Sequence, residues 1–377
     1  MSLQSVIVPT QMRASVLTGH GGLDVIAYRT DVPVPVPADN EVLVKVGACG
    51  VNNTDVNTRT AWYNRNVSTG YSEEFGEKGV SDGSNVTTAS SWNTSSVSFP
   101  RISGAATVGY VAAVGKGVDS SRIGERVIVD PCVRDAQAPL RAQLVEYVGS
   151  ERDGGFAEYV AIPAINAHAV DSPLSDSELA TFPCSFDTAE EMLERARLSE
   201  GQTVLITGAA GGVGTALIQL AHVREAKVIA VAGASKEERV RSLGVAHFIA
   251  RETEDLLAAV EDLVGTRAVD VVADVVGGPN FGSLLKMMSR GGRYTTAGAI
   301  AGPVQSIDLR DLIYKDLELY GITCPTAKTF ERVVALIEAG ELKPTLDGIF
   351  PLERLADAQA ELVKRQHFGK LVIDPNM

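Results

Sequence analysis

The segment TVLITGAAGGVGTALIQLA, Thr203–Ala221, decides the fold of this chain. An apolar strand pattern leads into a glycine-rich turn, and an apolar helical pattern follows the turn. Glycines let the backbone approach a pyrophosphate closely, and the N-terminus of the following helix supplies free N–H groups. Ala209 stands where the first glycine of the G-x-G-x-x-G pattern is expected. We predict a dinucleotide site formed by Ala209, Gly211, Gly212, Val213 and Gly214.

The residues around this segment predict an α/β fold with two domains. Residues from about 174 to 325 alternate apolar strands with helical patterns, as in a doubly wound parallel sheet. The predicted strands span 203–208, 227–233, 247–250, 269–276, 292–298 and 317–323. The first 165 or so residues are mostly β, and a final strand, KLVI, is expected to rejoin them. The expected domains are therefore a mostly-β domain of 1–171 and 326–377, and a Rossmann domain of 172–325.

The end of the second Rossmann strand predicts the cofactor. NAD-dependent enzymes usually place Asp or Glu there to bind the ribose 2′-hydroxyl. Here the strand ends VAGASKEER, with Ser235, Lys236 and Arg239 in place of an acid. A hydroxyl and two cations can hold a 2′-phosphate, so we predict NADPH over NADH. The alternative is that Lys236 and Arg239 are solvated charges at the start of a helix.

Composition and charge exclude several classes of partner. The chain has 377 residues and a formal net charge of −13, which disfavours nucleic acid. It contains no apolar run of about 18 residues and no signal-peptide pattern at its start, so we expect no membrane partner and a cytoplasmic location. Its four cysteines are widely spaced and predict neither a disulfide framework nor a metal knuckle.

Residues 62–99 interrupt the pattern of the first domain. The segment is rich in Ser, Thr, Asn and Gly, yet it contains both tryptophans of the chain. A loop of this length without structure of its own is uncommon in a compact domain. Two interpretations stay open, namely a surface excursion fixed by its aromatic rings and a lid over a substrate pocket. The aromatic residues concerned are Trp62, Tyr63, Tyr71, Phe75 and Trp92.

Several motifs together resemble a known superfamily. G-V-N-x-x-D occurs at Gly50–Asp55, P-C-x-x-x-T-A at Pro183–Ala189, and a matching tail at Phe350–Ile373. With the glycine-rich turn, they are similar to the medium-chain dehydrogenase/reductase superfamily, most closely to its zinc-independent quinone oxidoreductase branch. The resemblance covers almost the whole chain. It implies a GroES-like substrate domain, a small-molecule substrate, Ala297 and Gly298 near the nicotinamide, and a homodimer or homotetramer paired through residues 317–323.

The same resemblance predicts that no metal is bound. Zinc-dependent members take three ligands from Cys, His or Glu, which leaves a fourth position open. In this sequence Asn52 fills the first place, Ala105 and its neighbours replace the G-H-E run, and Cys184 alone remains. The structural zinc of the family needs four close cysteines, and only Cys132 falls in that region.

Without a metal, positioned hydrogen-bond donors must stabilise the charge that hydride transfer creates. A quinone or α,β-unsaturated carbonyl spreads this charge, so we expect one of these as the acceptor. Asn52 is the expected donor, with shaping of its turn as the alternative, and Asp55 would orient the turn or a nearby donor. Tyr63 or water would give the proton, and Asn57 and Thr188 would contact substrate or nicotinamide. An alcohol or aldehyde reductase, and a cofactor-binding protein with little turnover, remain as alternatives.

Overall fold

The computed structural model describes residues 8–79, 97–135, 137–139 and 143–377. The chain separates into two compact units. The first unit contains the chain up to Val67, Ser72–Cys184 and Leu346–Met377, and the second contains Ser68–Tyr71 and Ser185–Thr345. Both units are therefore built from segments that are discontinuous in sequence.

The N-terminal part of the first unit is mostly β, as its short β-branched runs and turn residues predict. Its strands are β1 Gln11–Leu17, β2 Ile26–Pro33, β3 Glu41–Val51, β4 Arg101–Ile102, β5 Ala106–Val114, β6 Arg126–Val129, β7 Cys132–Arg134, β8 Leu144–Tyr147, β9 Tyr159–Pro163 and β10 Ala167–Ala169. Its helices are α1 Asn53–Thr60, α2 Glu73–Lys78 and α3 Asp176–Leu179.

The second unit alternates helices and strands. Its helices are α4 Phe186–Arg195, α5 Gly212–Val223, α6 Glu237–Arg241, α7 Leu256–Val264, α8 Phe281–Met287, α9 Leu309–Ile313 and α10 Ala327–Glu338. Its strands are β11 Thr203–Thr207, β12 Lys227–Ala232, β13 His247–Ala250, β14 Val269–Asp274, β15 Met288–Thr296 and β16 Glu318–Gly321. The remaining elements, β17 Leu346–Pro351, α11 Leu355–Lys364 and β18 Lys370–Asp374, return to the first unit.

The strands of the second unit form one parallel sheet in the order β13-β12-β11-β14-β15-β16. This is the doubly wound Rossmann order, and it confirms the predicted fold class. Leu205, Ile229 and Val272 are fully buried in its core. Covering both faces of a parallel sheet with helices explains why these strands are continuous apolar runs in the sequence.

In the first unit, β3 is the central strand. It pairs antiparallel with β5, β9 and β18, and its apolar side chains are buried. The C-terminal strand β18 thus rejoins the first unit as predicted. Because β3 ends at Val51, immediately before α1, this pairing fixes the position of the Asn52–Asp55 turn.

The unit boundaries fall later than the expected 171 and 325. Helix α3 packs against β3, β5, β17 and β18, which keeps it with the first unit. Helix α10 packs against α4 and so stays with the Rossmann sheet. Neither contact is visible in local sequence, because each joins segments that are distant along the chain.

Only part of the 62–99 segment is described. Its first residues contain α2, which begins after the N-cap Ser72 and carries Phe75. The N–H of Tyr71 donates to the carbonyl oxygen of Ile300 at 2.6 Å, within the second unit. Trp92 and the whole SDGSNVTTASSWNTSS run lie outside the described residues, so the lid and surface-loop interpretations both stay predictions. Among the described residues, no helix is long and apolar enough to cross a membrane.

Candidate active site

The glycine-rich turn has the geometry of a nucleotide cradle. Gly208 adopts a left-handed φ of +59°, and Gly211 is the N-cap of α5, whose first residues are Gly212 and Val213. A Cβ atom on Gly214 would lie 2.1 Å from the carbonyl oxygen of Gly208, so only glycine allows this close packing. A Cβ atom on Gly211 would meet only that same oxygen, at 3.5 Å. The first turn of α5 presents backbone N–H groups of the kind that bind a pyrophosphate, and pyrophosphate binding at this turn stays a prediction.

Ala297 and Gly298 follow β15 at the same carboxyl edge of the sheet. A Cβ atom on Gly298 would lie 2.5 Å from the carbonyl oxygen of Val275, so the backbone approaches too closely for any other residue. The N–H of Ala297 donates to Asp274 O at 3.3 Å. Their contact with a nicotinamide stays a prediction, as does that of Thr188, which lies half-buried in the first turn of α4.

A buried carboxylate beneath this edge was not anticipated from the sequence. Asp274 ends β14 and is fully buried. Its Oδ1 accepts from the hydroxyl of Thr207 at 2.5 Å and its Oδ2 from the hydroxyl of Tyr294 at 2.5 Å. The N–H groups of Val276 and Gly277 also donate to Oδ1, at 2.9 and 3.0 Å. Burial and the neighbouring carboxylate raise the pKa of Tyr294, so this tyrosine remains a donor that fixes the turn after β14.

The end of β12 carries no acid. Ser235 and Lys236 form a short turn after Gly233, and Arg239 lies in α6. The structure adds two charges from the end of β13. The guanidinium of Arg251 would lie 3.6 Å from a Cβ atom on Gly233, and the carboxylate of Glu252 accepts from the N–H of Ala234 at 3.1 Å.

In the first unit, the Asn52–Asp55 turn is held by backbone and side-chain hydrogen bonds. The Asp55 carboxylate accepts from the N–H of Asn52 at 2.8 Å and from the N–H of Gly104 at 3.0 Å. Asp55 therefore joins the start of α1 to the loop before β5, and its orienting role stays a prediction. Burial raises the pKa of Asp55 to about 6, although these N–H groups and the charge of Lys370 oppose the shift.

Lys370 is the residue at this turn that the sequence did not reveal. Its ammonium donates to Oδ1 of Asn52, across 318 residues of sequence. The Nδ2 of Asn52 donates to the carbonyl oxygen of Gly50 at 3.0 Å. Both side chains are buried, with Lys370 4% exposed and Asn52 7% exposed. The tail motif H-F-G-K was the only signal, and it carries no periodic or local pattern.

Tyr63 is half-buried and hydrogen-bonds with Thr54 and Asn57. Its hydroxyl donates to Oγ1 of Thr54 at 3.1 Å, and Asn57 also hydrogen-bonds with it. Burial is the largest cause that raises the pKa of Tyr63 to about 12, with smaller contributions from Cys184 and Asp55 and against the lowering effect of the two hydrogen bonds. Tyr63 therefore stays protonated at neutral pH, as a proton donor must. The role of Tyr63 as the proton donor stays a prediction.

Cys184 has a left-handed φ of +66°, which is unfavourable for a residue with a side chain. Its Sγ accepts a hydrogen bond from the hydroxyl of Tyr147 at 3.3 Å. The donor set around it does not fit a catalytic zinc, because the first-ligand position is an amide whose oxygen is bound to the Lys370 ammonium. Among the residues described, no three His, Cys, Asp or Glu side chains form a metal-binding group.

Comparisons with known proteins agree with this arrangement. Residues 38–172 match the family model of the alcohol dehydrogenase GroES-like domain, and residues 212–339 match that of the zinc-binding dehydrogenases. Quinone oxidoreductase of Lama guanicoe is 28% identical over 371 residues, covering 96% of this chain and 97% of the relative. The alignment therefore spans both units.

Two solved structures show similar folds. A protein of Sinorhizobium meliloti 1021, provisionally assigned as an alcohol dehydrogenase, is 47% identical, with a TM-score of 0.87 and 97% of each chain covered. The 2-octenoyl-CoA carboxylase reductase CinF, solved with NADP and 2-octenoyl-CoA, is 25% identical, with a TM-score of 0.79, covering 97% of this chain and 88% of that one. The chain belongs to the medium-chain dehydrogenase/reductase superfamily of oxidoreductases and is quinone oxidoreductase-like.

Proposed function

We propose that this oxidoreductase uses NADPH to reduce a quinone or an α,β-unsaturated carbonyl without a catalytic metal. The observation that carries the proposal is the Asn52–Lys370 contact at the position where zinc-dependent relatives place their first ligand. An amide whose oxygen already accepts from an ammonium is a poor metal ligand but still a hydrogen-bond donor.

The nature of the donor limits the acceptor. NADPH, when bound, supplies a hydride. The Asn52 amide has one N–H engaged with Gly50 and a second N–H with which to donate to an acceptor oxygen. A neutral donor stabilises a full alkoxide less than a metal does, whereas a quinone or enone delocalises the charge over several atoms. Tyr63, kept protonated by burial, is the proposed proton donor.

The proposed preference for NADPH rests on the end of β12. Ser235, Lys236 and Arg239 offer a hydroxyl and two cations, and Arg251 adds a third cation beside Gly233. Glu252 is the opposing feature, because a carboxylate at the N–H of Ala234 could instead accept a hydrogen bond from a ribose 2′-hydroxyl. The relative affinities for NADPH and NADH distinguish a site for a 2′-phosphate from a site for a 2′-hydroxyl.

Relatives suggest two other acceptors. The CinF structure holds 2-octenoyl-CoA, so an enoyl thioester belongs to the proposed class of activated alkenes. The Sinorhizobium relative supports a second candidate function, reduction of an aldehyde or ketone. That function would need a stronger oxyanion donor than the Asn52 amide.

The proposal is tested by steady-state oxidation of NADPH with matched acceptors. A quinone, an enone, an enoyl thioester and the saturated analogue of each carbonyl compound should be compared at equal concentration. We expect turnover of the quinone or the unsaturated compounds and little turnover of the saturated ones. Turnover of saturated ketones alone would overturn the proposal, and tight NADPH binding without turnover would favour a cofactor-binding protein.

We also propose that the active form is a homodimer or homotetramer paired through β16. This strand is an edge of the Rossmann sheet, and an unpaired edge can bind a second copy. Exposed apolar side chains lie on it and next to it, namely Leu319 on β16, Leu309 and Ile313 on α9, and Tyr314 after α9. Light scattering of the wild type and of Leu319→Glu tests this, and an unchanged mass for the variant would contradict it.

A further inference from the structure

Lys370 reaches the active-site turn because of strand register. In the antiparallel pair of β18 and β3, Leu371 lies opposite Val51 and Val372 lies opposite Gly50. Continuing the register by one residue places Lys370 opposite Asn52. Its stem passes Gly50, since a Cβ atom there would lie 3.2 Å from Cε of Lys370. Strand pairing thus delivers a buried ammonium to the Asn52 side chain.

The ammonium determines which end of the Asn52 amide faces it. Lysine has only donors, so the atom of Asn52 that it contacts must be Oδ1. The carbonyl oxygen of Gly50 accepts only and therefore faces Nδ2, at 3.0 Å. These two partners together hold the amide in one orientation, with one N–H of Nδ2 still available. Without the ammonium, rotating the Asn52 amide by 180° would cost less hydrogen-bonding energy. Asn52 could then present its oxygen to the substrate instead of an N–H.

Charge explains why a buried lysine is tolerated here. The carboxylate of Asp55 is also buried and interacts electrostatically with Lys370. Asn52 connects the two charged groups, since its N–H donates to Asp55 and its Oδ1 accepts from Lys370. The ammonium draws electron density toward Oδ1, which makes the opposite N–H a stronger donor.

We infer that Lys370 is a positioning residue that holds and polarises the Asn52 amide so that its free N–H points to the hydride acceptor. The inference rests on the proposed function, in which Asn52 stabilises the negative charge that forms on the acceptor. Lys370 itself contacts neither substrate nor cofactor in this scheme. Its proposed effect on catalysis passes through Asn52, directly and through Asp55, which accepts from the N–H of Asn52.

A double-mutant cycle tests this dependence. The full-length wild type, Lys370→Met, Asn52→Ala and the double variant should be compared with NADPH and the best acceptor of the panel. We expect Asn52→Ala to lower kcat by about 100-fold, as loss of one oxyanion donor does. Lys370→Met should lower kcat by about 10-fold or more in the wild type and by less than about 2-fold in the Asn52→Ala background. If the decreases in kcat of the two single variants multiply in the double variant, the inference is overturned.

Two further variants separate positioning from stability. Lys370→Gln keeps an N–H donor for Asn52, so its kcat should exceed that of Lys370→Met even if both unfold at the same temperature. Lys315→Met is the matched control, because Lys315 is another buried lysine, 7% exposed, that donates to the carbonyls of Leu285 and Lys286. We expect Lys315→Met to lower the free energy of unfolding and to leave kcat unchanged. Equal kcat for the Gln and Met variants would overturn the inference.

The pH profile gives a readout that loss of stability alone would not move. Three titratable groups interact with Asp55, namely Lys370, Cys49 and Tyr63. Among these three, only Lys370 lowers the pKa of Asp55. Ionised Asp55 accepts from the N–H of Asn52 and so holds the turn, and removing the Lys370 charge should therefore shift the acid limb of kcat to higher pH in Lys370→Met. An unshifted limb would overturn the inference, while a wild type that turns over no acceptor would overturn the proposed function and this inference with it.

Discussion

Alanine substitutions at Gly211 and Gly214 should damage the nucleotide turn in different ways. A Cβ atom on Gly214 would lie 2.1 Å from the oxygen of Gly208 and 2.6 Å from Cα of Ala209. Both are backbone atoms, so the turn must move by about 1 Å to restore van der Waals contact. Overpacking of this kind costs about 1–3 kcal/mol, and we expect Gly214→Ala to lower the free energy of unfolding by that amount.

Gly211 offers the contrasting case. Its φ of −85° and ψ of 175° suit alanine, and its Cβ atom would meet only one neighbour, at 3.5 Å. The fold should therefore tolerate Gly211→Ala, with a change in stability below about 1 kcal/mol. The added methyl group lies where we expect the pyrophosphate to approach. We predict that NADPH affinity falls by at least about 10-fold, or about 1.4 kcal/mol.

Thermal unfolding and NADPH titration of the two variants separate these effects. Gly282→Ala is the matched control, because Gly282 lies in α8 with no atom within 4 Å of its Cβ position. It should bind NADPH like the wild type. Wild-type NADPH affinity in Gly211→Ala would refute the placement of the pyrophosphate, and wild-type stability in Gly214→Ala would refute the packing argument.

Three other substitutions test separate features. Lys236→Glu should weaken NADPH binding by about 10-fold or more and strengthen NADH binding, and an unchanged ratio of the two dissociation constants would contradict the NADPH proposal. Asp55, with its pKa raised to about 6, stabilises the fold while protonated, and this contribution is lost as pH rises through 6. In urea unfolding, the free energy of unfolding of Asp55→Asn should therefore rise by about 3 kcal/mol relative to that of the wild type between about pH 4 and 6. Parallel pH curves for the two proteins would refute the raised pKa of Asp55. Arg134→Met leaves the buried Asp130 without the guanidinium that lies 2.5 Å away, so we expect a loss of about 3 kcal/mol in urea unfolding, and a loss below about 1 kcal/mol would contradict it.

Local pattern was sufficient to predict the Rossmann unit. Its central strands are short apolar runs that are mostly buried, such as Thr203–Thr207, and every strand of the sheet is followed by a helix. The glycine turn was also predictable, because the close approach of Gly214 to Gly208 admits no other residue. In these segments the residues that determine the structure are neighbours in sequence.

The remaining features depend on contacts between distant segments. Lys370 meets Asn52 only because β18 pairs with β3 in one register. Glu252 meets the N–H of Ala234 only because β13 lies beside β12. Asp274 gains its hydroxyl partners from two other strands in the same way. No local signal marks such pairs, so the sequence pointed to the Asn52 turn but not to the ammonium that contacts its amide.

The position of β18 in the sequence has a consequence for biosynthesis. The strand that brings Lys370 to Asn52 emerges from the ribosome after every element of the Rossmann unit. The Rossmann unit can therefore fold during translation, whereas the sheet around β3 must wait for the last strands. A nascent chain stalled before Lys370 would already contain the nucleotide turn but not the oriented amide. Under the proposed function, nucleotide binding would be acquired before β18 emerges, and catalysis only after it.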